Sequence, residues 1–194
     1  MDATNYQNET DFNLLKSTGY GDQHAFETLY KRFECRLFHY LRMMVNDDTL
    51  AEDVLIEAMV AVWKGAKTFQ GGSQVSTWIF GIARHKALDA LRGRMAKGAD
   101  SLSLDEASEV PDPKDRTAIH AEQSMAGTIL KKALAMLSPE HQEAIHLAFY
   151  EGLSYQEIAG LMDVPINTIK TRVYYAKQKL KTSLESLGLE ENPL

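Results

Sequence analysis

The chain has 194 residues, 44% of them hydrophobic, and a formal net charge of -6. That length suits one ordinary domain or two small ones with filled cores, and charge or glycine interrupts every apolar stretch well short of the roughly 20 residues that span a membrane. Met1-Asp2-Ala3-Thr4-Asn5 has neither a basic start nor an apolar run, so no signal peptide and no membrane insertion are expected, and the cytoplasm is the expected compartment.

The acidic average hides a segregated pattern. Met1 to Glu57 holds eleven acids against five bases, Ser76 to Lys97 holds five bases and only Asp89, and Ile166 to Thr182 holds five bases and no acid. Such blocks suit a chain that meets nucleic acid on some faces and a basic partner on others.

Residues 1–10 are read as an N-terminal tail. Phe26, Leu29, Tyr30, Phe33, Leu37 and Leu41 then recur at helical spacing, as do Val54, Ala58, Val62 and Leu55, Met59, Trp63. Two long amphipathic helices follow from this, separated by the turn and capping residues Asn46-Asp47-Asp48-Thr49. The first carries Cys35, the single cysteine, which is expected to be a buried core residue, with redox sensing as the alternative. On the second, Asp48, Glu52, Asp53 and Glu57 occupy neighbouring turns. Like charges so placed cost an isolated helix a few tenths of a kcal/mol per pair and invite a basic partner.

Gly71-Gly72-Ser73 breaks the pattern before Trp78, Ile79, Ile82, Ala83, Ala87, Leu88 and Leu91 restart it, which completes a helical domain over 11–95. Phe69 to Thr77 reads as a polar loop, with the helix beginning at Thr77. Loop and helix carry Gln70, Ser73, Gln74, Thr77, Arg84 and Lys86, with Arg92 and Arg94 further along. A cationic track beside pockets for unpaired bases is what single-stranded recognition uses. Trp78, close to Ile79 and Ile82, is read mainly as core. His85, His141 and His146 have no ligand set around them, so no metal site is expected.

Residues 96–121 are polar and acidic, hold Pro111 and Pro113, and read as a flexible linker. Its acids either mimic nucleic acid in a positively charged channel or serve a plain tether. A second helical domain is expected over 122–187, with 188–194 as a tail. In it Ser138-Pro139 supplies a capping hydroxyl and an N1 proline, and Ala144, Ile145, Ala148 and Phe149 mark a helix ended by Gly152. Ser154 and Glu157 form a capping box for a short helix buried by Ile158, Ala159 and Met162. Asp163-Val164-Pro165 turns the chain into a helix from Ile166 to Gln178 bearing Asn167, Thr168, Lys170, Thr171 and Arg172. This is a helix-turn-helix with a polar, cationic second helix, as entry into the major groove requires. The fold class is therefore all-α, with two small helical domains.

A helix-turn-helix alone also permits an autonomous DNA-binding regulator, and basic helices alone permit a protein-interaction module. Leu137 to Leu184 resembles region 4 of extracytoplasmic-function sigma factors. Gly21 to Tyr30, LAEDVLIEAMVAVWK (Leu50 to Lys64) and STWIFGIARHKALDALRG (Ser76 to Gly93) resemble sigma region 2 in order and spacing. The resemblance implies a non-catalytic factor, without cofactor, that binds RNA polymerase core and promoter DNA and has a cognate anti-sigma factor. It implies that Asp48, Glu52, Asp53 and Glu57 dock on the clamp helices of the largest polymerase subunit and that region 4 meets the flap. Gln70, Ser73, Gln74, Thr77, Arg84 and Lys86 would capture the -10 strand. Asn167, Thr168, Lys170, Thr171 and Arg172 would read the -35 element. Two positions depart from the common pattern: Pro165 stands where a serine is usual, and Tyr175 where an arginine is usual.

Overall fold

The computed structural model describes residues 6–96 and 125–187, and no strand occurs among them. The N-terminal domain is built from α1 (Asp11–Gly19), α2 (Gln23–Val45), α3 (Asp48–Gly65) and α4 (Val75–Ala96). Each of the first three helices has a side-chain cap. The Thr10 hydroxyl accepts from Asn13 N–H, the Asp22 carboxylate from His24 and Ala25, and the Asp47 carboxylate from Leu50, which satisfies donors that a bare helix start leaves open. Asn46 ends α2 in the left-handed region at φ 50°, and that single residue reverses the chain into α3.

The expected periodicity is the core. Leu29, Phe33, Leu37, Tyr40 and Leu41 of α2 meet Val54, Leu55, Ala58, Met59 and Val62 of α3 and Ile79, Phe80, Ala83 and Ala87 of α4, all within 5% of full burial. Trp78 lies half-buried over Phe69, with ring centroids 5.1 Å apart, and a Cβ on Gly65 would stand 3.1 Å from its ring. The expected tail is partly anchored: Tyr6–Asn8 is a 3-10 turn, the Tyr6 hydroxyl donates to Asp22, and Arg32 donates to the Glu9 and Tyr6 carbonyls.

Apart from where helices end, four local expectations are corrected. Cys35 is half-buried rather than core, its Sγ 3.6 Å from His39 Nδ1. It sits two residues after Phe33 and two before Leu37, off the apolar stripe. The fourth helix begins at Val75, not Thr77, because Val75 is buried and anchors the first turn, and it runs through Ala96, into the expected linker. Ser138 makes no side-chain cap. Its hydroxyl pairs instead with His141 Nδ1 at 2.7 Å.

In the second domain α5 (Met125–Ala135) and α6 (Pro139–Ile145) lead into a π-helical turn, His146–Tyr150. The Glu151 N–H donates to the His146 carbonyl five residues back, so the helix widens, Leu147 turns inward and Phe149 outward, 55% exposed. That is the fourth correction, since Phe149 was expected among the inward residues. Gly152, at φ +67°, closes the turn. Then come α7 (Tyr155–Met162) and α8 (Ile166–Ser186), longer than the expected 166–178. Glu122, where the helical run was expected to begin, and the linker acids from Asp100 to Asp115 lie outside the described residues.

Candidate nucleic-acid interface

The helix-turn-helix follows from local chemistry. At the start of α7 both halves of the capping box form: Glu157 N–H donates to the Ser154 hydroxyl at 3.3 Å and Ser154 N–H to the Glu157 carboxylate at 2.9 Å. Burial works to raise the Glu157 carboxyl, but hydrogen bonds from Ser154 and Thr77 outweigh it and hold it below the usual range. Asp163, at φ 54°, turns the chain, and Pro165, extended at φ -59°, precedes the first residue of α8. Ile169, Val173 and Ala176 bury one side of α8. Asn167, Lys170 and Thr171 are exposed on the other sides, and Thr168 and Arg172 are half-buried. Tyr174 and Tyr175, each 59% exposed, follow Lys170 and Thr171 by one turn. Lys177 is drawn aside, 4.6 Å above the Phe149 ring.

On α3 the carboxylates of Glu52, Asp53 and Glu57 are exposed. Asp48 is partly engaged by Arg42 at 2.7 Å, and Glu57 by Lys86 of α4 at 3.3 Å. Sequence reasoning missed the centre of this face, where Ile56 and Val60 stand 57% and 45% exposed between the acids. Their signal was present: at 100° per residue they fall opposite the buried Ala51, Val54, Leu55 and Ala58. A face of carboxylates around an apolar centre suits a partner that is both basic and apolar.

The loop before α4 exposes Gln70, Ser73 and Gln74, and Gly71, at φ +77°, holds a conformation that L side chains rarely adopt. Thr77 and Arg84 do not face open solvent. Thr77 Oγ1 donates to Glu157 Oε1 at 2.7 Å and Arg84 Nε to Glu143 Oε1 at 2.8 Å, both carboxylates belonging to the second domain. Arg92 pairs with Asp89, and Arg94 with the capping carboxylate of Asp47. The expected cationic track is thus laced with ion pairs. Among the described residues no group of acids, histidines and cysteine has the arrangement of a metal site.

Two families match the chain in order: Sigma-70 region 2 over residues 29–96 and Sigma-70 region 4 over 128–180. The chain is 32% identical to the RNA polymerase sigma factor CarQ of Myxococcus xanthus, over 88% of this chain and 95% of that one. The chain belongs to the extracytoplasmic-function RNA polymerase sigma factors. It is also 30% identical to the sigma factor RpoE of Cereibacter sphaeroides, over 82% of this chain and 86% of the relative. Its fold resembles that of RpoE from Bartonella quintana, crystallised with the anti-sigma factor NepR, at a TM-score of 0.66 and 28% identity, covering 82% of this chain and 96% of that one. A sigma factor directs RNA polymerase to particular promoters, so the helix-turn-helix and the α3–α4 domain are parts of one initiation factor, and the rival readings as an autonomous regulator or an interaction module fall away.

Proposed function

We propose that the two domains divide promoter recognition between them. The face of α3 around Asp48, Glu52, Asp53 and Glu57, with Ile56 and Val60 at its centre, docks on the clamp helices of the largest polymerase subunit, and the second domain meets the flap. The front of α8 enters the major groove at the -35 element. Lys170 neutralises phosphate there, while Asn167, Thr168, Thr171 and Arg172 reach base edges. Gln70, Ser73, Gln74, Thr77, Arg84 and Lys86 hold the unpaired -10 strand and so favour melting. Phosphodiester chemistry belongs to polymerase, and this chain contributes binding without catalysis or cofactor. Two modest affinities on one tether add through effective concentration once both elements are engaged.

The observation that carries this reading is the capped helix-turn-helix with its polar, basic second helix, standing behind a region 2 domain whose acidic and basic faces lie on adjacent helices. The anti-sigma factor bound by the Bartonella relative supports a cognate anti-sigma partner here, and no described helix is long and apolar enough to cross a membrane, in keeping with a cytoplasmic factor. Run-off transcription with purified core on a promoter library, with and without this protein, tests the division of labour. Protein-dependent transcripts should map to promoters sharing a -35 and a -10 motif. A motif at the -35 element alone would remove the -10 assignment.

A further inference from the structure

A cavity of about 650 Å³ is bordered by α4 of the first domain and α7 of the second, a volume within the range that encloses small molecules. Trp78 and Ile82 line it from α4 and Leu161 from α7, so both walls carry apolar surface. Two glycines line it as well, Gly81 inside α4 and Gly160 inside α7. A glycine inside a helix weakens it relative to alanine and marks a place where another group comes close to the backbone. Gly65 is such a place, because a Cβ there would stand 3.1 Å from the Trp78 ring. Gly81 and Gly160 differ: a Cβ on either would meet nothing within 4 Å. Packing within the chain sets no need for them, and the clearance over both opens into the same cavity.

Further along the same stripe of α4, Lys86 and Asp89 supply charge. Lys86 donates to Glu57 at 3.3 Å, which uses one of the three N–H donors of an ammonium. Asp89 holds Arg92 at 2.6 Å, and Glu157 on the α7 side accepts from Ser154 and Thr77. A carboxylate has about four lone-pair sites, so neither acid is saturated. The cavity thus offers apolar walls for a flat ring, carboxylates for N–H groups on its edge, and a cation for an anionic tail. A purine nucleotide combines those three features: its base presents a π-face to aromatic side chains and N–H donors to carboxylates, and its phosphate suits lysine.

We propose that the cleft between α4 and α7 binds a free purine nucleotide, with the ring against Trp78 and Ile82 in the clearance over Gly81 and Gly160 and the phosphate at Lys86. Ser73 and Thr77 border the same cavity. With Lys86 they belong to the residues assigned above to the -10 strand, so a bound nucleotide competes with promoter DNA. The nucleotide site stands on the cavity, and only the competition rests on the -10 reading.

Guanosine 5′-monophosphate is titrated into the full-length protein by isothermal calorimetry, with guanosine and ribose 5-phosphate titrated beside it. The nucleotide should bind with a Kd on the order of 10–100 μM, and each fragment at least about tenfold more weakly. Gly81→Leu and Gly160→Leu fill the cavity from opposite walls. Each should weaken nucleotide binding at least about tenfold while the circular dichroism melt stays unchanged or rises, since leucine is the better helix former. The two variants are independent, so one that folds suffices. No binding to the parent at about 1 mM nucleotide, or parental affinity in a folded leucine variant, overturns the proposal. Equal affinity for ribose 5-phosphate or for guanosine overturns it as well, because ring or phosphate then plays no part. Displacement of a labelled mixed-sequence 20-nucleotide single strand, followed by fluorescence anisotropy, tests the competition separately. Nucleotide binding that the leucine variants lose, without displacement of the strand, keeps the site and removes Ser73, Thr77 and Lys86 from the -10 assignment.

Discussion

If α8 enters the major groove as proposed, position on it separates side chains that would hold phosphate from those that would read sequence. Lys170 is exposed on the flank of the helix, where a point charge serves any sequence. Lys170→Ala should weaken -35 duplex binding evenly and lower the slope of log affinity against log salt by about one unit, measured by titration across salt concentrations. Arg172 lies beside Thr168 and Thr171, and Arg172→Ala should cost about 1–3 kcal/mol and relax preference at one base pair in a binding-site selection. Tyr175, where an arginine is usual, stands one turn beyond Thr171 with its ring 59% exposed. At this scale the sequence was most legible where side chains point outward: Asn167, Lys170, Thr171, Glu52 and Asp53 are exposed as their helical phase requires. It was least legible for side chains whose partners lie far along the chain. Nothing local distinguishes Glu143 from any surface glutamate, and its contact with Tyr40 spans 103 positions.

Helices with side-chain caps tie the fold to pH. The Asp47 carboxyl is held below the usual range by the Leu50 N–H and then by Arg94, Asp22 by the Tyr6 hydroxyl and the Ala25 N–H, and Glu157 as described above. Depressed folded-state values mean that these groups contribute stability above the ordinary carboxylate range and lose it as pH falls through their folded-state values. Thermal melts should therefore show falling stability below about pH 4. Asp47→Ala should cost about 1 kcal/mol at neutral pH and flatten part of that decline. The caps and the 3–4 apolar spacing made the helices readable in advance, but α4 begins two residues earlier than expected, α8 runs eight residues longer, and one side chain changes face. A buried valine hidden in a polar loop extended α4 backward, and a π-helical turn, which needs one more residue than apolar spacing reveals, rotated Phe149 outward. The first shift sharpens an experiment on the loop. Replacing Gln70 to Gln74 with glycine and serine while keeping Val75 should preserve folding and polymerase binding yet abolish melting of a linear promoter. A template with a pre-melted bubble should partly restore run-off yield, since base extrusion costs a few kcal/mol that the loop no longer offsets. Permanganate reactivity on both templates reads the result, and unimpaired melting of linear duplex would remove the loop from -10 capture.

For the whole molecule, the acidic face and the face proposed to hold DNA lie on adjacent helices of one small domain. Glu52→Lys with Asp53→Lys should weaken the complex with polymerase core in a pull-down at moderate salt while leaving the circular dichroism melt unchanged, because both side chains are exposed. Glu57 is less suitable for that test, since its partner Lys86 sits among the residues assigned to the -10 strand. Under the proposed division of roles, this one ion pair would link two binding events. On the proposed assignments, polymerase that takes Glu57 leaves Lys86 without its partner, to meet a phosphate without first breaking a bond. By reciprocity, DNA held at Lys86 releases Glu57 and tightens the grip on polymerase by the same factor. An exposed pair is worth about 0–1 kcal/mol, so the factor is at most about fivefold. That is a small bias toward arriving at the promoter already mounted on the enzyme, written into the side chains of two neighbouring helices.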